Sequence, residues 1–298
     1  MSFFIFVGAI LLFFFSLKQF GKEMYHFTEN KFLKLIEQIE KNKFLFFILG
    51  ILITIVLQSS SLTICLLLIL IHNKTLTPKN SIYYIMGSNI GTCVTAYLFT
   101  IPTESFLIGS LLLSIYSLIF NKKYRRICFL IVLVFLSIYI MKKVSFFLQE
   151  NIILDILLKY KTPIYSLFIS TIFTGIIQSS SIFITIIQSF LYQKLIDLNL
   201  SFYMILGSNI GTSITAILVG LSLDKDSKYC SYMNIVFNVI GALFMIIIMV
   251  LFPVTKILIN ISNNLPLVLA HFNLLANIIN VVGVLPILPI IKKRLKVS

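Results

Sequence analysis

Long apolar runs dominate the sequence and restrict the chain to a fold that spans a membrane. A helix that crosses the roughly 30 Å hydrocarbon core of a bilayer needs about 20 mostly apolar residues. Of the 298 residues, 59% are hydrophobic and only 11% are charged, whereas soluble domains carry about 25% charged residues. We therefore predict an all-α integral membrane protein in a lipid bilayer, with one transmembrane domain over residues 1–298. The apolar runs are 3–17, 82–101, 105–120, 127–141, 202–223, 232–253 and 265–291.

Two polar motifs interrupt these runs, and each motif occurs twice. The second copy of each follows the first by 120 residues, so both motifs repeat in one register. A single copy of either motif has little meaning, but two different motifs repeated at one offset indicate an internal duplication. We predict internal repeats at about 44–141 and 162–291. The matching segments are Gln58–Ser61 with Gln178–Ser181, and Gly87–Thr92 with Gly207–Thr212.

The Gln-Ser-Ser-Ser motifs lie in the middle of two uncharged stretches, 44–72 and 162–193. Each arm of such a stretch is too short to span a bilayer alone. Two interpretations compete: one tilted span, or a re-entrant hairpin with its polar tip at membrane depth. With hairpins and an outside N-terminus, 18 Lys and Arg residues face the cytoplasm and 6 face outside. A single span would separate the basic cluster Lys122–Arg126 from Lys18–Lys43, against the positive-inside rule.

The charge distribution therefore favours hairpins that enter the membrane from opposite sides. Such an inverted-topology repeat is typical of secondary transporters. We predict a multi-pass protein of the cell membrane with its N-terminus outside and its C-terminus in the cytoplasm. Residues 31–43 are predicted to form an amphipathic helix on the cytoplasmic surface, with 142–161 as its outer counterpart. The formal charge of +14 then belongs to short loops and requires no nucleic acid as a partner.

The Gly-Ser-Asn-Ile-Gly-Thr motifs place two glycines and three polar side chains inside apolar runs. We predict that each motif is an unwound segment, which gives two broken helices at membrane depth. Free carbonyls there would coordinate Na⁺, and the N-terminus of the restarting helix would favour an anion. The motif windows contain no charged residue, so an anion held by neutral donors needs a cation beside it. This pattern favours cation-coupled anion transport without naming the anion.

The paired motifs closely resemble the signature of the type II sodium–phosphate cotransporter family, which includes bacterial members. The resemblance runs from the apolar segment 10–17 to the C-terminal helices. It implies Na⁺-coupled transport of inorganic phosphate by alternating access. The predicted phosphate-binding residues are Gln58, Ser59, Ser60, Ser61, Asn89, Thr92, Gln178, Ser179, Ser180, Ser181, Asn209 and Thr212. The predicted Na⁺ ligands are Ser60, Ser88, Thr92, Ser180, Ser208 and Thr212, with Asn238 and Asn277 in supporting positions.

Two features depart from the family pattern. The family often shows His-x-x-Phe-Asn in two later helices, where this chain has Asn234 and Asn273 in place of the histidines. Asparagine keeps the hydrogen bonding but removes titration near neutral pH. Many bacterial members also carry a regulatory domain that is not seen after Lys292, so a separate cytoplasmic regulator is expected.

Two alternatives to phosphate transport stay open from the sequence. The first is a transporter of another small anion, such as arsenate, sulfate or a carboxylate, and the second is a transport-inactive membrane partner protein. An enzyme is not expected, because the sequence offers no activated nucleophile, acid pair or metal-binding constellation. No cofactor is predicted, and Na⁺ is expected only as the coupling ion.

Overall fold

The computed structural model describes residues 2–120, 124–144 and 162–289. These residues form twelve α-helices, and no strand occurs among them. The all-α class predicted from the apolar runs is thereby confirmed. In chain order the helices are α1 Ser2–Ile39, α2 Lys43–Leu57, α3 Ser60–His72, α4 Ser81–Leu98, α5 Thr103–Phe120, α6 Arg125–Val144, α7 Pro163–Ile177, α8 Ser180–Tyr192, α9 Leu198–Leu221, α10 Lys225–Leu251, α11 Val254–Ile261 and α12 Leu265–Val284.

Five of these helices are long and apolar enough to cross a membrane. They are the Phe4–Tyr25 part of α1 together with α6, α9, α10 and α12. Helices α4 and α5 form a further candidate, because they pass the same test together but bend by 101° at their junction. Helices α2, α3, α7 and α8 have only 13 to 15 residues each. None of those four can span the hydrocarbon core alone.

The duplication is visible in the backbone. Helices α7 and α8 begin and end 120 residues after α2 and α3. The residue that ends the first helix of each pair is left-handed, with φ of 53° at Gln58 and 59° at Gln178. Lys74 and Lys194, which follow α3 and α8, repeat this conformation with φ of 61° and 58°. The two repeats therefore adopt the same local fold, and their inverted orientation stays a prediction.

The Gln-Ser-Ser-Ser motif produces a helix stop followed at once by a helix start. The left-handed glutamine ends the first helix, and the first serine is extended, with φ of −155° at Ser59 and −150° at Ser179. That serine caps the second helix: Ser59 Oγ accepts a bond from Leu62 N at 3.2 Å. Ser179 Oγ likewise accepts from Ile182 N at 3.4 Å. Since serine is a favoured N-cap residue, the motif places a short polar break between two apolar helices.

The prediction of unwound Gly-Ser-Asn-Ile-Gly-Thr segments is wrong, because α4 and α9 run through both motifs without interruption. The glycines serve close helix packing instead. A Cβ atom at Gly87 would lie 2.0 Å from the carbonyl oxygen of Phe47 in α2. A Cβ atom at Gly207 would lie 2.1 Å from the carbonyl oxygen of Leu167 in α7. Only glycine lets these backbones approach so closely, as in other membrane helix pairs, and the helices stay intact.

Helix α1 also differs from the prediction. It continues to Ile39, so residues 31–39 are its C-terminal end and 31–43 is not a separate surface helix. The chain then turns, and Asn42 caps α2 by accepting from Phe44 N and Leu45 N, each at 3.1 Å. No proline or other break precedes this turn within α1. The segment 145–161, Lys122, Lys123 and the residues from 290 onward lie outside the described residues.

An ionic cluster joins the end of α3 to the start of α10. Lys74 Nζ lies 2.6 Å from Asp224 Oδ2 and 3.1 Å from Asp226 Oδ2, and His72 Nδ1 lies 3.6 Å from Asp224 Oδ1. The hydrogen bonds from Lys74 and then Ser227 hold the pKa of Asp224 well below its usual range. The contact is therefore present at neutral pH and is lost only in strong acid, as the carboxylate protonates. It connects the two halves of the chain at one surface.

Candidate anion-binding site between the two Gln-Ser-Ser-Ser segments

A cavity of about 260 Å³ brings the two Gln-Ser-Ser-Ser segments together. Residues from both copies line it, although they are 120 positions apart in the sequence. The polar lining consists of neutral side chains from the two segments and α9, with two lysines from α1. Apolar residues such as Phe14 and Leu57 complete the wall. The polar lining residues are Gln58, Ser59, Ser61, Gln178, Ser179, Thr215, Lys18 and Lys22.

A chain of hydrogen bonds connects the two segments. Ser181 Oγ donates to Thr95 Oγ1 at 3.1 Å, and Thr95 Oγ1 donates to Gln58 Oε1 at 3.1 Å. Ser61 Oγ donates to the carbonyl oxygen of Gln178 at 3.4 Å. Each segment thus contacts residues of the other repeat, so the site is formed by the two repeats jointly.

The two repeats make unequal contacts at this cavity. Thr215 stands 120 residues after Thr95 and is its counterpart, yet its buried hydroxyl has no hydrogen-bond partner in the described part of the chain. Gln178 is exposed to the cavity, whereas Gln58 is half-buried and bonded to Thr95. Identical motifs therefore occupy two different arrangements in one structure.

Backbone donors at the start of α3 and α8 suit an oxyanion. The first helical bond of α3 runs from Thr63 N to Ser59 O, and that of α8 from Phe183 N to Ser179 O. The N–H groups of Leu62 and Ile182 are bonded to the capping serines, and the N–H groups at the two positions before each of them have no partner within the helix. Helix starts also carry a partial positive charge. Both features favour an anion beside the two capping serines.

Lys18 and Lys22 are the charged residues of the cavity lining, and they were not predicted as site residues from the sequence. They lie one helical turn apart on α1, and both side chains are exposed. Gly21 explains how α1 reaches the site, because a Cβ atom there would lie 2.5 Å from the carbonyl oxygen of Leu57. This contact places α1 against the end of α2, next to Gln58. Two lysines flanking a glycine in an apolar helix are the sequence signal for this arrangement.

Several predicted site residues do not line the cavity. Ser60, Ser180 and Ser181 are at least 95% buried. Ser88 and Ser208 accept hydrogen bonds from Thr54 and Thr174 at 2.8 Å and 3.1 Å, which ties α4 to α2 and α9 to α7. Asn209 Nδ2 donates to Asn273 Oδ1 of α12 at 3.5 Å, whereas three other polar side chains bond within their own helices. These bonds are Asn89 Nδ2 to Ile85 O, Thr92 Oγ1 to Ser88 O, and Thr212 Oγ1 to Asn209 O.

A separate group of buried asparagines contains the predicted supporting residues. Asn238 Nδ2 donates to Ser213 Oγ at 2.8 Å and to Asn234 O at 3.2 Å. Asn277 Nδ2 donates to Cys93 Sγ at 3.3 Å and to Asn273 O at 2.9 Å. Ser213 and Cys93 are counterparts in the two repeats, so the two asparagines make equivalent contacts. The residues that replace the family histidines, Asn234 and Asn273, hold Asn238 and Asn277 in place.

Several membrane-spanning helices and a cavity formed by two duplicated polar segments define a multi-pass membrane protein of the transporter class. The chain belongs to the Na⁺/Pi-cotransporter family, which it matches over residues 12–143 and 149–284. Each matched range contains one copy of both motifs. The chain is also 29% identical over 239 residues to the uncharacterized protein YqeW of Bacillus subtilis (strain 168), covering 78% of this chain and 77% of that protein. No solved structure matches the chain.

Proposed function

We propose that the protein is a sodium-coupled inorganic phosphate transporter that works by alternating access. The observation that carries this proposal is the shared cavity, where both Gln-Ser-Ser-Ser segments present hydroxyls, amides and helix starts. Family membership supplies phosphate and Na⁺ as the expected substrates. Gln58, Ser59, Ser61, Gln178 and Ser179 would contact the phosphate, and Lys18 and Lys22 would attract it.

The proposed transport cycle moves one inverted repeat against the other around this cavity. With the N-terminus outside, Lys18 and Lys22 lie near the cytoplasmic end of the membrane-spanning part of α1, Phe4–Tyr25, so the cavity would open to the cytoplasm. Na⁺ would compensate the phosphate charge through neutral oxygens, including the C-terminal ends of α2 and α7, where a cation is favoured. The proposed Na⁺ ligands from the motifs remain the hydroxyl groups of Ser60, Ser88, Thr92, Ser180, Ser208 and Thr212.

Purified protein in liposomes tests this function. Uptake of ³²P-labelled phosphate is expected under an inward Na⁺ gradient and not under a choline gradient of equal ionic strength. Competition by arsenate, sulfate and small carboxylates then ranks the anions. Stronger competition by one of these than by phosphate would identify it as the substrate. Absence of any Na⁺-dependent flux would contradict the proposal and favour a transport-inactive partner protein.

The two lysines of α1 are expected to tune phosphate affinity. Lys18→Gln combined with Lys22→Gln should raise the KM for phosphate by about 3- to 10-fold, since charges lining a cleft concentrate anions and are screened by salt. Kinetics of uptake at low and high ionic strength measure both effects. Lys256→Gln removes an exposed lysine of α11 that does not line the cavity and is the matched control. Equal KM values in the double variant and the control would show that the two lysines do not contribute to phosphate affinity.

The unequal contacts of Thr95 and Thr215 predict opposite shifts between the two states of the cycle. Thr95→Val removes bonds to Gln58 and Ser181 and should disfavour the described state. Thr215→Val should disfavour the state in which Thr215 makes the equivalent bonds. Leaving a buried polar group unpaired costs about 1–3 kcal/mol, or roughly 5- to 150-fold in population.

Cys65 lines the cavity and gives a direct readout of this equilibrium. A membrane-impermeant thiol reagent should modify Cys65 more slowly in Thr95→Val and faster in Thr215→Val than in the parent protein. Cys128, the other half-buried cysteine, is replaced by serine in all three proteins. A change of the same sign in both variants would refute an exchange between equivalent contacts.

A further inference from the structure

A second cavity lies among buried asparagines of α9, α10 and α12. It has a volume of about 10 Å³ and shares no lining residue with the larger cavity. That volume fits one particle of the size of a water molecule. We call it the asparagine cavity after its polar lining, which is Asn209, Asn238, Asn277 and Asn280. We propose that it is a binding site for a single monovalent cation.

Two carbonyl oxygens at this cavity have no hydrogen-bond partner among the described residues, namely Asn238 Oδ1 and Asn280 Oδ1. Their residues are only 2% and 4% exposed. Buried polar atoms are nearly always paired, so an unpaired atom needs an explanation such as a bound ion or water. Two unpaired oxygen atoms at one small cavity indicate a bound particle that interacts favourably with oxygen lone pairs.

The amide nitrogens of Asn238 and Asn277 already donate to other groups, which leaves their side-chain oxygens for the cavity. Asn238 Nδ2 donates to the main-chain carbonyl of Asn234, and Asn277 Nδ2 donates to that of Asn273. A carbonyl can only accept, so these bonds fix which end of each amide is nitrogen. The side-chain oxygens of Asn238 and Asn277 are therefore the ends left for a ligand.

Gly241 makes room for the third asparagine. A Cβ atom at this position would lie 2.0 Å from Asn280 Cγ, 2.2 Å from Asn280 Nδ2 and 2.3 Å from Asn280 Oδ1. Any residue other than glycine at position 241 would displace the amide of Asn280 from the cavity wall. The close approach at Gly241 thus holds Asn280 where its side-chain oxygen has no hydrogen-bond partner among the described residues.

The chemistry of the lining selects a monovalent cation. The two buried unpaired atoms of the lining are oxygen acceptors, which favours a cation over an anion, and hard cations prefer oxygen ligands. No group of three or more His, Cys, Asp or Glu side chains able to hold a metal occurs in the described ranges. A divalent ion would keep its double charge uncompensated among neutral amides and the apolar Leu206, Ala242 and Ala276. A single charge at neutral oxygens suits Na⁺, and that identity rests on the proposed function.

Binding of ²²Na⁺ to the purified full-length protein without phosphate tests the site separately from transport. Asn280→Leu, Asn238→Leu and Gly241→Ala are each expected to lower the affinity for one ²²Na⁺ ion by at least about tenfold, because each removes or displaces an oxygen ligand. Asn280→Asp keeps the oxygen, adds a negative charge and should bind ²²Na⁺ more tightly. Asn260→Leu, at an exposed position of α11, is the matched control.

The melting temperature in choline chloride shows whether each variant is folded, and addition of NaCl should raise it in the parent protein but not in the leucine variants. Unchanged ²²Na⁺ binding in folded Asn280→Leu and Asn238→Leu would overturn the proposal and leave a buried water as the occupant. Loss of binding in these variants supports the site even if the parent protein shows no phosphate flux. The two proposals can therefore fail independently.

Discussion

Gln58→Glu combined with Gln178→Glu is expected to reduce Na⁺-dependent phosphate uptake by about 100-fold or more. Glutamate has the shape of glutamine, so the left-handed turns at both positions are retained. Each substitution places a carboxylate at the cavity, opposite an oxyanion, and juxtaposed like charges cost several kcal/mol. At about 1.4 kcal/mol for each factor of ten, the loss is at least two orders of magnitude. Initial rates of ³²P uptake at neutral pH measure the effect.

Gln178→Glu alone should be the more damaging of the two single changes, because Gln178 is exposed to the cavity while Gln58 is bonded to Thr95. Gln38→Glu adds the same charge at an exposed position of α1 that does not line the cavity, and serves as the control. Uptake in the double variant that equals uptake in Gln38→Glu would remove the cavity from the transport path.

Gly87→Ala is expected to lower the melting temperature of the purified protein by about 5 °C or more. The added methyl group would meet the main-chain oxygen of Phe47 at 2.0 Å. Because a backbone atom cannot rotate away, α2 and α4 must separate, and overpacking of this kind costs about 1–3 kcal/mol. Gly207→Ala should behave in the same way, since its Cβ would lie 2.1 Å from Leu167 O in the second repeat.

Gly109→Ala provides the matched control for both substitutions. A Cβ atom at Gly109 has no neighbour within 4 Å, and alanine in a helix is more stable than glycine by about 0.5–1 kcal/mol. The melting temperature of this variant should therefore stay equal or rise slightly. If Gly87→Ala and Gly109→Ala melted alike, the glycines of the motif would have no role in packing.

The sequence was sufficient to predict where the apolar stretches are interrupted. Polar residues in the middle of apolar stretches predicted the breaks at Gln58–Ser59 and Gln178–Ser179, and the structure places helix ends there. A serine cap and a left-handed residue are properties of a few neighbouring residues, so no distant contact is needed to specify them. The repeat at one offset followed from residue identities alone.

Contacts between distant helices could not be predicted in the same way. Glycine permits either a break or a close approach, and the position of α2 against Gly87 decides between them. Lys18 and Lys22 reach the cavity only because Gly21 packs on Leu57, which depends on how α1 docks. Asn280 of α12 lies near Asn238 of α10 because Gly241 leaves space for its side chain. No spacing along the sequence predicts this contact.

The glycine contacts between α2 and α4 also determine which parts of the molecule can move. A Cβ atom at Gly50 of α2 would lie 2.3 Å from the carbonyl oxygen of Tyr84 in α4, and Gly87 of α4 makes the corresponding close approach to the carbonyl oxygen of Phe47 in α2. Two backbones in direct contact leave no side chains between them that could change rotamer, so neither helix can slide without a clash. Each such pair, α2 with α4 and α7 with α9, is therefore expected to move as one rigid unit. In the proposed transport cycle, displacement would then take place at the contacts between these units, where hydroxyl–hydroxyl bonds such as Ser181 to Thr95 can exchange partners.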